Sequence, residues 1–322
     1  MEILSHTMSS IMARLSLTLV MLCATTLHAQ TNPLWHEQKV KNYLPHMTWP
    51  EVQDLLSRTD MVIIPVPSLE QHGPQTPIGT DFLSGVERAK LVAQRTDFLV
   101  APVIMAGSSP YHMGFPGTIT ISTETLEKVY FETAQSLIHH GFRRILFLNS
   151  HIGNQYMTAF VADRVNQETP AIAVELGAAA AALEPRQTSR ATQFDRHGGV
   201  GETSGAMYLF PTLVDISKGS KGDLTLPDHM NKMLPQVIAG DPAATQVFLA
   251  EGLKPKGTGK HTSTREMTAT GSWSQRDTRD STAAAGKAAT DSFVNAAVAF
   301  IDRWKALRPL APLSQRQAEP RP

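Results

Sequence analysis

The chain has 322 residues, 42% of them hydrophobic, enough for one large core or two small ones. Lys plus Arg and Asp plus Glu both number 29, and that balance excludes the broad basic field that nucleic acid or an anionic membrane surface requires. A small neutral or mixed-charge molecule is the partner such a surface suits.

Read from the start, a polar stretch containing Arg14 leads into the apolar run LSLTLVMLCATT and then LHA ahead of Gln30. This order of parts reads as a secretory signal over residues 1–29, with small Ala29 suited to the signal peptidase. The apolar run falls short of the ~20 residues that cross a bilayer, so cleavage is expected, leaving no membrane anchor and a secreted or periplasmic location. Cys23, the only cysteine, lies in the removed segment, so disulfides and a cysteine nucleophile are not expected in the mature chain.

From about 61 to 176, strand-length apolar runs alternate with amphipathic stretches of helical length, the pattern of βαβ units on a mainly parallel sheet. Strands are predicted at MVIIPV, FLVAPVIM, RILFLN and AIAVEL. Helices are predicted over 82–95, 123–140 and 154–167. The second is the clearest: Leu126, Val129, Tyr130, Ala134, Leu137 and Ile138 recur at helical spacing, Ser122 or Thr123 can cap it, and Gly141 can end it. A further helix is predicted to start near Glu202, and an Ala-rich one over 281–306. The Lys-, Thr-, Gly- and Ser-rich stretch 254–282 reads as a long surface loop near the site. Residues 308–322 read as a disordered Pro-rich tail.

The chemically able residues fall just past the C-terminal ends of the predicted strands, where open α/β sheets hold their ligands. After MVIIPV comes PSLEQHGPQTPIGTD, in which Glu70 and His72 are two apart and point to one side of an extended chain. Asp81 can fold back onto them through the Pro and Gly turn. After RILFLN comes SHIGN with His151, and RHGGVGETS supplies His197 and Glu202. Alone, either of His72 and His151 reads more readily as a hydrogen-bonded structural histidine, and Asp81 as a helix cap. Together they form a mixed imidazole and carboxylate set of the kind that binds Zn²⁺, Mn²⁺ or related divalent ions.

The segments SLEQHGPQTPIGTD, YHMGFPGTITIS, GFRRILFLNSHIGN and RHGGVGETSGAMYLFPTLVDI resemble, in order and spacing, the signature blocks of the creatininase (creatinine amidohydrolase) family. TGSWSQRDTRDSTAAAGKA is similar to its C-terminal loop and last helix. The resemblance spans roughly residues 45–305. It implies one amidohydrolase domain over 30–307 with a three-layer α/β/α fold around a mainly parallel sheet, assembled as a homo-oligomer, usually a hexamer. It also implies two divalent ions held by Glu70, His72, Asp81 and His151, with Asp81 bridging. His197 matches the catalytic histidine, expected to pass a proton to the departing nitrogen of an amide substrate. Glu202 matches a glutamate that ligates metal or orients the water, and His112 is expected in the pocket wall.

The sequence also departs from the family pattern. NSHIGN replaces the usual NGHGGN, so Ser150 and Ile152 are expected to narrow the loop around His151. Gly153 stands where creatininase proper has a glutamate ligand, and Gln193 where it has a tryptophan that encloses creatinine. The expected activity is therefore metal-dependent hydrolysis of a small carboxamide or cyclic amide other than creatinine. A formamide or lactone hydrolase, or a non-catalytic metal-bearing periplasmic binding protein, are the alternatives.

Overall fold

The computed structural model describes residues 36–184, 192–252 and 263–318, together with Asn32 and Leu34. The expected signal segment lies outside the described residues. Among the described residues no helix is long and apolar enough to cross a membrane.

Thr48 and Glu51 form a capping box that starts α1 (Trp49–Arg58). Strand β1 (Met61–Val66) follows and is buried along its whole length. Val62, Ile64 and Val66 enter one core cluster, while Met61 and Ile63 enter another. Burial on both faces explains the unbroken apolar run, because helices cover each side of a parallel sheet. Each such side chain contributes about 1.5–3 kcal/mol by leaving water.

After α2 (Thr80–Thr96) comes β2, which covers only Leu99–Val100 of the longer run predicted there. The reason is local: Ala101 still donates to Ile63 O, but Pro102 has no N–H to continue the ladder. Helix α3 (Thr123–His140) has the predicted ends, with the Ser122 hydroxyl accepting from Thr125 N and Gly141 in the left-handed region at the C-cap. Strand β3 (Arg144–Asn149), α4 (Gln155–Glu168), β4 (Ile172–Glu175) and α5 (Leu176–Ala181) complete the βαβ series. Beyond it lie α6 (Val200–Leu209), α7 (Asp228–Ile238), α8 (Pro242–Gly252), α9 (Ser263–Met267) and the long α10 (Ala283–Leu307).

The four strands are parallel in the order β2-β1-β3-β4. Residues of α1, α3 and α4 pack on one face, and residues of α2, α5 and α10 on the other, which gives the three α/β/α layers. A third, smaller core joins Phe194, Met230, Leu234, Phe248, Met267 and Trp273. The strand order reverses between β1 and β3, so the crevice past their C-terminal ends is the topological switch point where such sheets bind ligands.

Two expectations are corrected here. Of the stretch expected as a surface loop, the described part, 263–282, is half buried, including Thr264, Thr268, Ser272, Trp273 and Ser274. Residues 253–262 lie outside the described residues. In the tail, expected to be disordered, Leu313–Ala318 form a short helix, α11, whose Arg316 side chain is buried and donates to Gly141 O, Leu56 O and Ala311 O.

Candidate metal centre

The segment after β1 carries Glu70 and His72 into the switch-point crevice, where both are fully buried. The Leu69–Ile119 bridge keeps this segment extended, so residues two apart face the same way. Asp81 stands in the first turn of α2, and Gly79, not Asp81, is its N-cap. Its carboxylate is thus free to face inward. Oδ1 lies 3.2 Å from His72 Nε2, and Oδ2 lies 3.2 Å from His151 Nδ1.

His151, at the end of β3, also places Nδ1 3.2 Å from Glu70 Oε2. Its Nε2–H donates to Ser108 O at 3.0 Å, with the Tyr111 hydroxyl also 3.0 Å away. His72 donates from Nδ1 to Glu70 O at 3.1 Å. In both histidines one nitrogen is anchored by a carbonyl and the other is turned toward carboxylates, the arrangement that orients metal-ligating imidazoles.

Glu202, in the first turn of α6, has Oε2 3.6 Å from His72 Nε2 and accepts from Gly198 N at 2.6 Å. His197 lies beside the same group, with Nδ1 3.4 Å from Glu70 Oε1 and Nε2–H donating to Gln71 O at 2.6 Å. All six sequence-predicted residues therefore converge. Two sets of donors are close enough to hold an ion: Glu70, Asp81 and His151, and Glu70, His72 and His197.

The donor chemistry fits a cation. His72 Nε2 and Asp81 Oδ2 are buried and make no hydrogen bond. Imidazole lone pairs facing carboxylate oxygens at 3.2 Å are mutually repulsive unless a proton or metal ion lies between them. Protons take that place in the metal-free protein. Burial disfavours the charged form of His72, but Asp81, Glu202 and Glu70 push its pKa up to about 10. His151 is likewise raised well above the usual imidazole range by Glu70 and Asp81, against the effect of burial. His197 goes the other way, held well below that range by burial and by the neighbouring His112 and His72.

Gly153 has no room for a side chain. A Cβ there would stand 2.3 Å from Tyr111 Oη and 2.4 Å from both His151 Nε2 and Ser108 O. A glutamate at this position is thus excluded by the local packing. Ile152, expected to narrow the loop around His151, is instead 56% exposed at the rim. Ser150 also lines the cavity, and its hydroxyl donates to Asp81 O at 3.0 Å.

Several supporting residues carry no sequence signal of their own. The Ser109 hydroxyl donates to Glu70 Oε2, and Ser68 donates to the same oxygen at 3.2 Å. Gln71 donates to Gly271 O at 3.0 Å and to His112 Nδ1 at 3.2 Å. His112, expected in the pocket wall, is buried with Nε2 3.4 Å from Glu70 Oε1 and is stacked on His197. The positive φ of Gly271, and the clash any Cβ there would make with the Gln71 side chain, explain glycine at that point. The cluster forms the floor of a cavity of about 400 Å³ whose walls include Tyr156, Arg196, Gln246, Leu249 and Trp273.

The family model for creatininase, described as creatinine amidohydrolase, matches residues 45–301. The 3-dehydro-scyllo-inosose hydrolase of Thermotoga maritima is 31% identical over 177 residues, covering 52% of this chain and 56% of that protein. The match thus spans little more than half of that relative's length. The mycofactocin precursor peptide peptidase of Mycolicibacterium smegmatis is 32% identical over 205 residues, covering 60% of this chain and 74% of the relative. The fold is similar to a solved Zn-Zn form of a creatininase mutant, with a TM-score of 0.61 at 21% identity over 84% of this chain and 99% of that one.

Proposed function

The chain belongs to the creatininase family, and on that premise we propose that it is a metal-dependent hydrolase of a carboxamide or cyclic-amide C–N bond. The observation that carries this reading is the pair of 3.2 Å approaches on Asp81, one carboxylate oxygen facing His72 and the other facing His151. Asp81 would bridge two ions, with Glu70 and His151 on one side and His72 and Glu202 on the other. In this reading Glu202 supplies the carboxylate that Gly153 cannot. Bound divalent cations supply Lewis-acid polarisation of a carbonyl and acidify a water nucleophile toward neutral pH.

The chain's own residues do the rest. Glu70 is held by Ser68 and Ser109, so its oxygens cannot swing away from the cluster. His197, kept neutral by burial and its neighbours, takes a proton at Nδ1 and returns it to the departing nitrogen, as general acid–base catalysis requires.

Creatinine is not the proposed substrate. Gln193, at the position of an enclosing tryptophan in creatininase proper, is exposed and is not among the residues that line the cavity. A non-catalytic binding role gains no support from Ile152, whose side chain is 56% exposed at the cavity rim. Formamide or lactone hydrolysis would use the same residues. Export with cleavage near Gln30, a secreted or periplasmic location and a homo-oligomeric assembly, hexameric as in the family, belong to the same proposal. The mass and sedimentation of the native secreted protein test them.

Elemental analysis of the purified mature protein tests the central reading. Two zinc or manganese ions per chain, with hydrolysis within a panel of linear and cyclic amides, is the expected result. A folded protein free of divalent metal after incubation with zinc and manganese would overturn it.

A further inference from the structure

Arg196 is the one Lys or Arg among the described residues that line the cavity. Among the described residues its guanidinium has no hydrogen-bond or ion-pair partner, although it carries five donors. Its neighbour Asp195 would be the obvious partner but is engaged elsewhere. Asp195 Oδ1 accepts from Val200 N at 2.9 Å and from the Ser274 hydroxyl at 2.7 Å, and Oδ2 accepts from Gly201 N at 3.0 Å. Those bonds cap the start of α6. Glu202 points its Oε2 at Gly198 N and His72, not at Arg196.

The backbone under Arg196 is fixed. Its N–H donates to Trp273 O at 2.9 Å, its carbonyl accepts from Gly199 N at 3.1 Å, and the next carbonyl, of His197, accepts from Trp273 N at 2.8 Å. The side chain therefore springs from a fixed backbone point one residue from His197 and reaches the cavity wall from there. The wall nearby is apolar, formed by Trp273, Tyr156, Leu249 and Ala250. Charge supplies a further reason for a cation here. With two dications bound, the carboxylates of Glu70, Asp81 and Glu202 would leave a net positive charge, which would draw a free substrate carboxylate onto the ions and block the site. A separate guanidinium offers that group a bidentate alternative.

The geometry points to Arg196 as the residue that selects amides bearing a free carboxylate. The scissile carbonyl would face the cluster, an apolar body would lie against Trp273 and Tyr156, and the carboxylate would be held by Arg196. This inference rests on the hydrolase reading for the orientation of the carbonyl, but its anion site is tested without turnover.

The probes are N-benzoylglycine and N-benzoylglycinamide, which share the apolar body and the amide and differ in charge. Each is titrated calorimetrically into the zinc-loaded protein. The acid binds at least tenfold more tightly than the amide, and Arg196→Gln brings the ratio to about one. Arg196→Lys keeps part of the preference, because it retains the charge but not the fork. An absent preference in the native protein, or one that survives in Arg196→Gln because the carboxylate goes to the ions, overturns the assignment. Arg196 is exposed, so both variants should fold, and unchanged zinc content verifies this. Cleavage of the two probes is scored separately: binding of the acid without cleavage of either counts against their being substrates and leaves the result on Arg196 standing.

Discussion

Two buried clusters of charge lie at opposite ends of the β1–β3 pair, and they are built differently. At the N-terminal end, Arg144 pairs with Asp60 and donates to Arg308 O, and Arg143 donates to Ile138 O and Phe142 O. Arg316 closes this group with bonds to three carbonyls. At the C-terminal end, Glu70, His72, Asp81 and His151 are as deeply buried, yet His72 Nε2 and Asp81 Oδ2 have no hydrogen-bond partner. The first cluster is satisfied by the chain alone and holds the fold together. The second reaches satisfaction only with protons or a cation, and that dependence marks it as the candidate metal centre.

The comparison breaks most directly at Asp81. Asp81→Ala should lose bound metal by more than the about 10–100-fold that removal of a supporting partner costs, while the metal-free protein keeps its fold. Unchanged metal content by elemental analysis would reject the bridging role. Next in size, His197→Ala should retain its metal and lose about 10²–10⁴-fold in kcat. Metal loss in that variant would instead make His197 a ligand, as its approach to Glu70 allows.

The opposite cluster should respond in stability and not in chemistry. Arg144→Met leaves Asp60 buried without its partner and should cost about 3–5 kcal/mol in denaturant unfolding. The folded fraction should bind metal normally, and a change in metal stoichiometry would show that the two ends are not independent. The smallest effect concerns protons. At pH 7 the metal-free protein carries protons on His72, with its pKa near 10, and on His151, also raised. Metal must displace them, so affinity rises with pH across the neutral range, by up to about tenfold per pH unit for each proton released. Calorimetry in buffers of different ionisation enthalpy should count about two protons, and none released would falsify this account of the orphan atoms.

Much of the fold was legible because its cause is local. MVIIPV and RILFLN are apolar throughout because both faces are covered, and Ser122 and Gly141 bound α3 by capping chemistry that acts within one turn. Glu70 and His72 were legible for the same reason, since two-residue spacing in extended chain sets a common direction. The stretch 263–282 misled because its lack of apolar period suggests exposure. Several of its Thr and Ser groups are instead satisfied over long range: Asp223 accepts from Thr268 and Thr270, and Ser272 donates to Gly198 O. Arg316 was hidden likewise, since nothing in a Pro-rich tail announces that a guanidinium will meet three backbone carbonyls at the far end of the sheet.

By itself the sequence determined the parallel α/β sheet, the strand ends at which the candidate site gathers and the residue types of that site, because periodicity, capping and donor chemistry are properties of neighbours in the chain. Tertiary structure alone decided which oxygen of Asp81 faces which histidine, that Gly153 admits no side chain, and that Arg196 is left without a partner among the described residues at the cavity wall. Those outcomes depend on contacts between segments tens to hundreds of residues apart, whose distances no spacing in the sequence encodes.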